Sequence, residues 1–144
     1  PDHVLELFGV FDRPVLLSIE SKERSFDLEA NVGEGLVNYI YNLMNYVPNV
    51  ERLVHPRLGE WTQSEHLVDF KGFEVISAAA YLRGSAQANH IVFERSHCDM
   101  LFIMEPVGHG WEIEVVPATP ATEILKKFIC DKVAEIGFDE ITLF

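Results

Sequence analysis

One run in the sequence places a base, a thiol and a carboxylate side by side, in His97, Cys98 and Asp99. These are the residue types of a general base, a nucleophile and an orienting acid. Neighbouring side chains of an extended segment point to opposite faces, so the three groups could act together only in a turn. The run lies between two predicted strands, where a turn is allowed, and a polar connecting loop without a catalytic role is the simpler interpretation.

The histidines and glycines give no metal or phosphate motif. Six histidines are scattered along the chain: His3, His55, His66, His90, His97 and His109. No pair of them has the spacing of a helical zinc site, and Cys98 and Cys130 are too far apart for a zinc-finger pair. Around Glu34, the Gly-Glu-Gly run lacks the third glycine and the lysine of a phosphate-binding loop. We therefore predict no metal and no cofactor, and a metal site assembled by the fold from distant strands stays open.

Two carboxylates share one face of a predicted strand. Glu112 and Glu114 are two residues apart, which separates them by about 7 Å along a strand. A retaining glycosidase needs its carboxyl groups about 5 Å apart, on different segments. We interpret the pair as an acidic solvated face and as candidate binding residues. The neighbouring run around His109, flanked by Gly108 and Gly110, is typical of a flexible turn.

The polar face of the first predicted helix, over residues 33–47, has an unusual composition. It combines asparagines and tyrosines: Asn38, Tyr39, Tyr41, Asn42, Asn45 and Tyr46. No charged residue lies between Glu34 and Glu51, although a solvated helix face normally carries several. Tyrosine and asparagine are frequent at recognition surfaces, so we predict a protein-binding face. Burial beneath the loop after Pro48, or in a homodimer, would explain the same composition.

The elements that position these residues are predicted from hydrophobic periodicity. The first part of the chain is predicted as an opening helix over residues 2–11, for which a strand is the alternative, then a hairpin of strands 15–20 and 26–30, the helix over 33–47 and an irregular loop over 49–63. Five strands follow, over residues 67–71, 73–82, 91–95, 100–105 and 111–116. After them come a second helix from Thr119 to Gly137 and a terminal strand with Ile141 and Leu143. Thr119 and Pro120 form a typical helix start. The prediction is an α+β fold, a mostly antiparallel meandering sheet with two main helices packed on it.

Composition limits the classes of function. The 144 residues suit one domain, residues 1–144, with 48% hydrophobic and 24% charged residues. We expect no membrane span and no secretory signal, and two reduced cysteines indicate a cytoplasmic protein. The net charge of −12 disfavours direct binding to nucleic acid or to anionic membranes and favours a basic protein partner.

These features favour a small acidic binding protein, most concretely an inhibitor such as the immunity protein of a bacterial toxin or nuclease. Residues 129–144 run from a helix through Gly137 into a terminal strand. This segment resembles the closing helix and strand of barstar-like ribonuclease inhibitors, and nothing earlier in the chain extends the resemblance. Two alternatives are a small enzyme that uses scattered histidines and cysteine, and a structural or adaptor subunit of a larger assembly.

Overall fold

The computed structural model describes residues 2–28, 53–55, 59–61, 74–85 and 87–144. The strands within these ranges are β1 (His3–Leu7), β2 (Val15–Ser21), β3 (Leu53–His55), β4 (Gly59–Trp61), β5 (Glu74–Leu82), β6 (Met100–Val107), β7 (Gly110–Pro117) and β8 (Ile141–Leu143). The α-helices are α1 (Asn89–Ser96) and α2 (Pro120–Ile136), and two single-turn 3-10 helices occupy Ser25–Asp27 and Arg83–Ser85. No helix in these ranges is long and apolar enough to cross a membrane.

Six of the strands form one curled sheet in the order β1-β2-β5-β6-β7-β8. Two of the neighbouring pairs are antiparallel, β1/β2 and β6/β7, and three are parallel, β2/β5, β5/β6 and β7/β8. The α+β class is therefore confirmed, and the prediction of a mostly antiparallel meander is wrong because the sheet is mixed. Parallel neighbours cannot be joined by a tight turn, and α1 and α2 provide two of the longer connections that they need.

The two helices pack on opposite faces of the sheet. On one face, Leu125 of α2 packs in a cluster with Ile76 and Ala78 of β5. On the other face, Val92 of α1 packs in a second cluster with Ala79 and Tyr81 of the same strand. Side chains alternate along a strand, so β5 contributes to both layers, and seven of its nine residues are buried. We call the two faces the α2 face and the α1 face.

The helix α2 begins and ends where the sequence indicates. Thr119 is the N-cap, and its Oγ1 accepts a hydrogen bond from Thr122 N at 3.2 Å. Thr122 reciprocates, since its Oγ1 accepts a hydrogen bond from Thr119 N at 2.9 Å. Gly137 closes the helix in the left-handed conformation, with φ of 75°. This prediction is confirmed.

Several local predictions are wrong. Residues 91–95, predicted as a strand, lie in α1. The opening segment forms β1 rather than a helix, as its alternative allowed. β2 has no hairpin partner at residues 26–28, because Ser25–Asp27 is a 3-10 turn and β2 pairs with β1 and β5 instead. A loop as long as the one predicted over residues 49–63 is either functional or partly structured. In agreement with the second alternative, its residues 53–55 and 59–61 form the antiparallel pair β3/β4.

Other predictions fall outside the described residues. These include the helix over residues 33–47 and the strand over residues 67–71. The strands over residues 73–82, 100–105 and 111–116 and the terminal strand are confirmed as β5, β6, β7 and β8.

Candidate functional site

The candidate binding residues divide into two groups. The asparagine and tyrosine face, Asn38, Tyr39, Tyr41, Asn42, Asn45 and Tyr46, lies outside the described residues and stays a prediction. Glu112 and Glu114 lie on β7, on the α1 face of the sheet. Glu112 is exposed and Glu114 is partly buried, so the two carboxylates have different surroundings.

Arg83 explains the difference between the two carboxylates. Its Nη2 donates to Glu114 Oε2 at 2.7 Å, and its Nε lies 3.1 Å from Glu105 Oε2. The hydrogen bond to Glu114 raises the pKa of Arg83, so the guanidinium stays charged. Glu112 lies opposite Glu105 on β6 and forms no ion pair with another described residue. Of Glu112 and Glu114, Glu112 is therefore the carboxylate that is available to bind a group of another protein.

Glu112 belongs to a cleft at the end of the β7/β8 pair, which we call the Trp111 cleft. It consists of two cavities of about 230 and 380 Å³ that share His109, Trp111, Asp139 and Glu140. Glu112 and Thr142 line the first cavity, and Phe138 and Ile141 line the second. Since successive residues of β7 and β8 alternate between faces, the two cavities lie on either side of this sheet edge.

The Trp111 cleft combines an exposed aromatic ring with carboxylates. Trp111 is 42% exposed, and Phe138 beside it is 52% exposed. Glu112, Asp139 and Glu140 are all exposed, and no lysine or arginine is among the described residues that line either cavity. Asp139 and Glu140 line both cavities with Trp111 and form no ion pair with another described residue. An indole beside such carboxylates is suited to a guanidinium or an ammonium group, which gains from the ring face and from the opposite charges.

Gly110 allows the two segments of the cleft to meet. A Cβ atom at position 110 would lie 2.2 Å from the carbonyl oxygen of Glu140. The next residue, Trp111, donates its backbone N–H to the same oxygen at 2.7 Å. The close approach of the two backbones places Glu140 and Asp139 beside Trp111.

The structure separates the candidate catalytic run. His97 ends α1 in the left-handed conformation and is exposed, whereas Cys98 and Asp99 are buried. Cys98 Sγ lies 3.0 Å from Ser96 Oγ, and Asp99 Oδ2 accepts hydrogen bonds from Ser77. The three groups therefore do not form a relay. Within the described ranges, no three histidine, cysteine or acidic side chains are placed to hold a metal ion.

Both cysteines carry free thiols. Cys98 lies in the cluster on the α1 face, and Cys130 packs against the cluster on the α2 face. The sheet therefore separates the two thiols. Partial burial raises the pKa of Cys130, which makes this thiol a poor nucleophile.

The sequence analysis singled out some residues of the Trp111 cleft but did not predict that they lie close together. Glu112 was a candidate binding residue, and His109 was placed in a flexible turn. Asp139 and Glu140 carried no signal beyond their position before the terminal strand. The parallel pairing of Trp111 with Ile141 brings Asp139 and Glu140 close to Trp111. The glycine at position 110 was the only feature of the sequence that indicated this close approach.

Comparisons with protein family models, with curated proteins and with solved structures gave no match.

Proposed function

We propose that this protein binds and blocks a basic protein partner, such as a toxin or a nuclease, and that the Trp111 cleft receives an arginine or lysine side chain of that partner. The observation that carries the proposal is the exposed Trp111, which lines both cavities together with Asp139 and Glu140, with Glu112 on the other face of the same strand. Tryptophan and paired charges at the centre of an interface account for much of the binding energy in many complexes.

The charge of the chain supports the same partner. A net charge of −12 attracts a basic protein over the Debye length, about 8–10 Å at physiological salt, and accelerates association. A protein that holds nucleic acid carries a basic surface, so an acidic inhibitor would occupy that surface by charge complementarity. The cleft then supplies the short-range contacts that slow dissociation.

A charge-matched comparison tests the proposal. The triple variant Glu112→Gln, Asp139→Asn, Glu140→Gln removes three charges from the cleft. The control Glu94→Gln, Glu123→Gln, Asp131→Asn removes three exposed charges elsewhere, so the two variants have equal net charge. Each protein is immobilised and exposed to lysate of its own organism at low and high salt, and captured proteins are identified by mass spectrometry.

The expected result is one basic protein that is retained by the wild type and by the control but lost from the cleft variant. Its purified activity should be inhibited by the wild-type chain. Equal retention by both variants would assign the binding to net charge or to another surface. A captured partner whose activity is unchanged in the complex would refute the inhibitor function.

An adaptor subunit is a second candidate because α2 exposes large apolar side chains. Ile124 is 52% exposed and Ile136 is 66% exposed. A protein interface would cover them. Size-exclusion chromatography of the Ile124→Gln, Ile136→Gln variant would distinguish this function, since loss of a stable assembly is expected only for an adaptor.

A further inference from the structure

A third cavity lies on the α2 face of the sheet and shares no residue with the Trp111 cleft. Its volume is about 360 Å³. The residues that line it come from six strands: His3, Ile19, Ser21, Ala80, Phe102, Met104, Ile113 and Leu143. No residue of α2 is among these described lining residues. We call this cavity the sheet groove.

The sheet groove has the size and lining of a small-molecule site. Six of its eight lining residues are apolar, and the polar ones, His3 and Ser21, both lie at its β1/β2 end. Ligand pockets are usually 300–1,000 Å³, mainly apolar, with a few polar groups that orient the ligand. From β2 to β8 the groove crosses four strand spacings, about 19 Å at 4.8 Å each, which suits an elongated apolar body.

The carboxylate of Asp2 is hydrogen-bonded to Ser21, one of the two polar residues that line the groove. Asp2 Oδ2 accepts hydrogen bonds from Ser21 N at 2.8 Å and from Ser21 Oγ at 3.1 Å. The first of these bonds is the main reason that the pKa of Asp2 is lowered, so the carboxylate is ionised at neutral pH. Lys22 also lies near Asp2 and is itself paired with Glu20 at 3.3 Å. Together with the net charge of −12, the ionised Asp2 therefore favours a cationic over an anionic head group.

We propose that the sheet groove binds an elongated apolar amine, with its apolar body along Ala80, Phe102 and Met104 and its ammonium group beside Asp2. Burial of the apolar body against the partly exposed side chains of Phe102 and Met104, over the buried Ala80, supplies the affinity. The charge of Asp2 selects the cation over an anion of the same shape. This inference does not depend on the proposed inhibitor function.

Three probes of equal chain length test the site, namely n-octylamine, n-octanol and octanoate. Each is titrated below its aggregation concentration into protein with labelled isoleucine, leucine and methionine methyl groups, and binding is followed by NMR. We expect octylamine to shift the methyl signals of Ile19, Met104 and Leu143 and to leave those of Ile124 and Ile136, which lie outside the groove, unchanged. Octylamine should bind more tightly than octanol, and octanol more tightly than octanoate.

Two variants separate shape from charge. Ala80→Leu fills the floor of the groove and should weaken all three probes more than tenfold. Asp2→Asn should weaken octylamine about fivefold, the size of an exposed ion pair, and leave octanol unchanged. If Ala80→Leu does not fold, Met104→Gln makes the wall polar without adding volume and should weaken octanol and octylamine equally.

The control Ile124→Gln changes an exposed apolar residue of α2 and should bind like the wild type. Shifts confined to Ile124 and Ile136, or an unchanged preference for octylamine in Asp2→Asn, would overturn the assignment. Loss of partner capture by the Trp111 cleft variant would leave these titrations unaffected, so the two proposals can fail separately.

Discussion

The carboxylate of Asp99 and the backbone and hydroxyl of Ser77 form a buried hydrogen-bonded pair between the start of β6 and the middle of β5. Asp99 Oδ2 accepts from Ser77 N at 2.9 Å and from Ser77 Oγ at 3.1 Å, and Asp99 N donates to Ser77 O at 2.8 Å. The strand register continues from this pair, with Ala78 opposite Met100. Asp99 thus aligns the parallel strands at the centre of the sheet.

We predict that Asp99→Ala lowers the free energy of unfolding by about 2–4 kcal/mol, because it leaves two buried donors of Ser77 without an acceptor. Ser77→Ala should cost only about 1 kcal/mol, since the backbone N–H of residue 77 keeps its acceptor. Urea denaturation measures both. The control Asp131→Ala removes an exposed carboxylate and should change the stability by less than about 0.5 kcal/mol. Equal losses for Asp99→Ala and Asp131→Ala would contradict the structural role.

The same region shows why the sheet type could not be predicted. Ile91, Val92 and Phe93 are typical strand residues, but they form part of α1, where Val92 and Ser96 face the sheet one helical turn apart. The run is too short for periodicity to separate helix from strand. Once residues 91–95 are read as a strand, β5 and β6 need no crossover and an antiparallel meander follows. The long amphipathic stripe and clear cap of α2 left no such ambiguity.

A second prediction concerns the close approach at Gly110. Gly110→Ala should lower the free energy of unfolding by about 1–3 kcal/mol, because the new Cβ atom collides with the Glu140 carbonyl and must push β8 away from β7. Amide hydrogen exchange should show faster exchange at Trp111, whose N–H donates to that carbonyl. Gly84→Ala is the matched control, because nothing lies within 4 Å of a Cβ atom there. If Gly110→Ala destabilised the protein no more than Gly84→Ala, β8 would be able to move away from β7 at little cost in free energy.

Only those parts of the candidate site could be predicted that depend on the local pattern of apolar and polar residues along the sequence. Alternation along residues 111–116 correctly placed Glu112 on a strand face. The sequence could not predict that Arg83 pairs with Glu114 and not with Glu112. This pairing depends on how the three segments that carry Arg83, Glu105 and Glu114 pack together. The approach of Asp139 and Glu140 to Trp111 likewise depends on a parallel pairing whose partners are separated by all of α2. Contacts of this kind are set by tertiary structure.

A third prediction compares two neighbours on α2. Leu125 is fully buried, whereas Ile124 is 52% exposed. Leu125→Ala should therefore lower the free energy of unfolding by about 2–5 kcal/mol through a core cavity. Ile124→Ala should cost less than about 1 kcal/mol, since much of its side chain is already in water. Thermal and urea denaturation measure both, and similar losses would mean that α2 is rotated about its axis relative to this structure.

The last prediction concerns the buried hydroxyl of Tyr81. Tyr81 is fully buried on the α1 face, and its Oη has no hydrogen-bond partner among the described residues. Burial, with smaller contributions from Cys98 and Glu114, raises the pKa of Tyr81 from its ordinary value of 10.0 to about 12. The folded protein therefore keeps this proton at a pH where the unfolded chain has lost it.

Between pH 10 and 12 the unfolded state binds fewer protons than the folded state, so the free energy of unfolding should fall as the pH rises through this range. The stabilisation from Tyr81 is fully present below pH 10, and its loss by pH 12 amounts to about 2 kcal/mol. Tyr81→Phe removes the titrating group. Between pH 10 and 12, the free energy of unfolding of this variant should therefore fall by about 2 kcal/mol less than that of the wild type. At pH 7 the variant should be at least as stable as the wild type, because it removes a buried hydroxyl that lacks a described partner. Urea denaturation at pH 7, 10, 11 and 12 compares the two proteins. Parallel pH profiles would mean that the Tyr81 hydroxyl ionises at the same pH in the folded and unfolded chains.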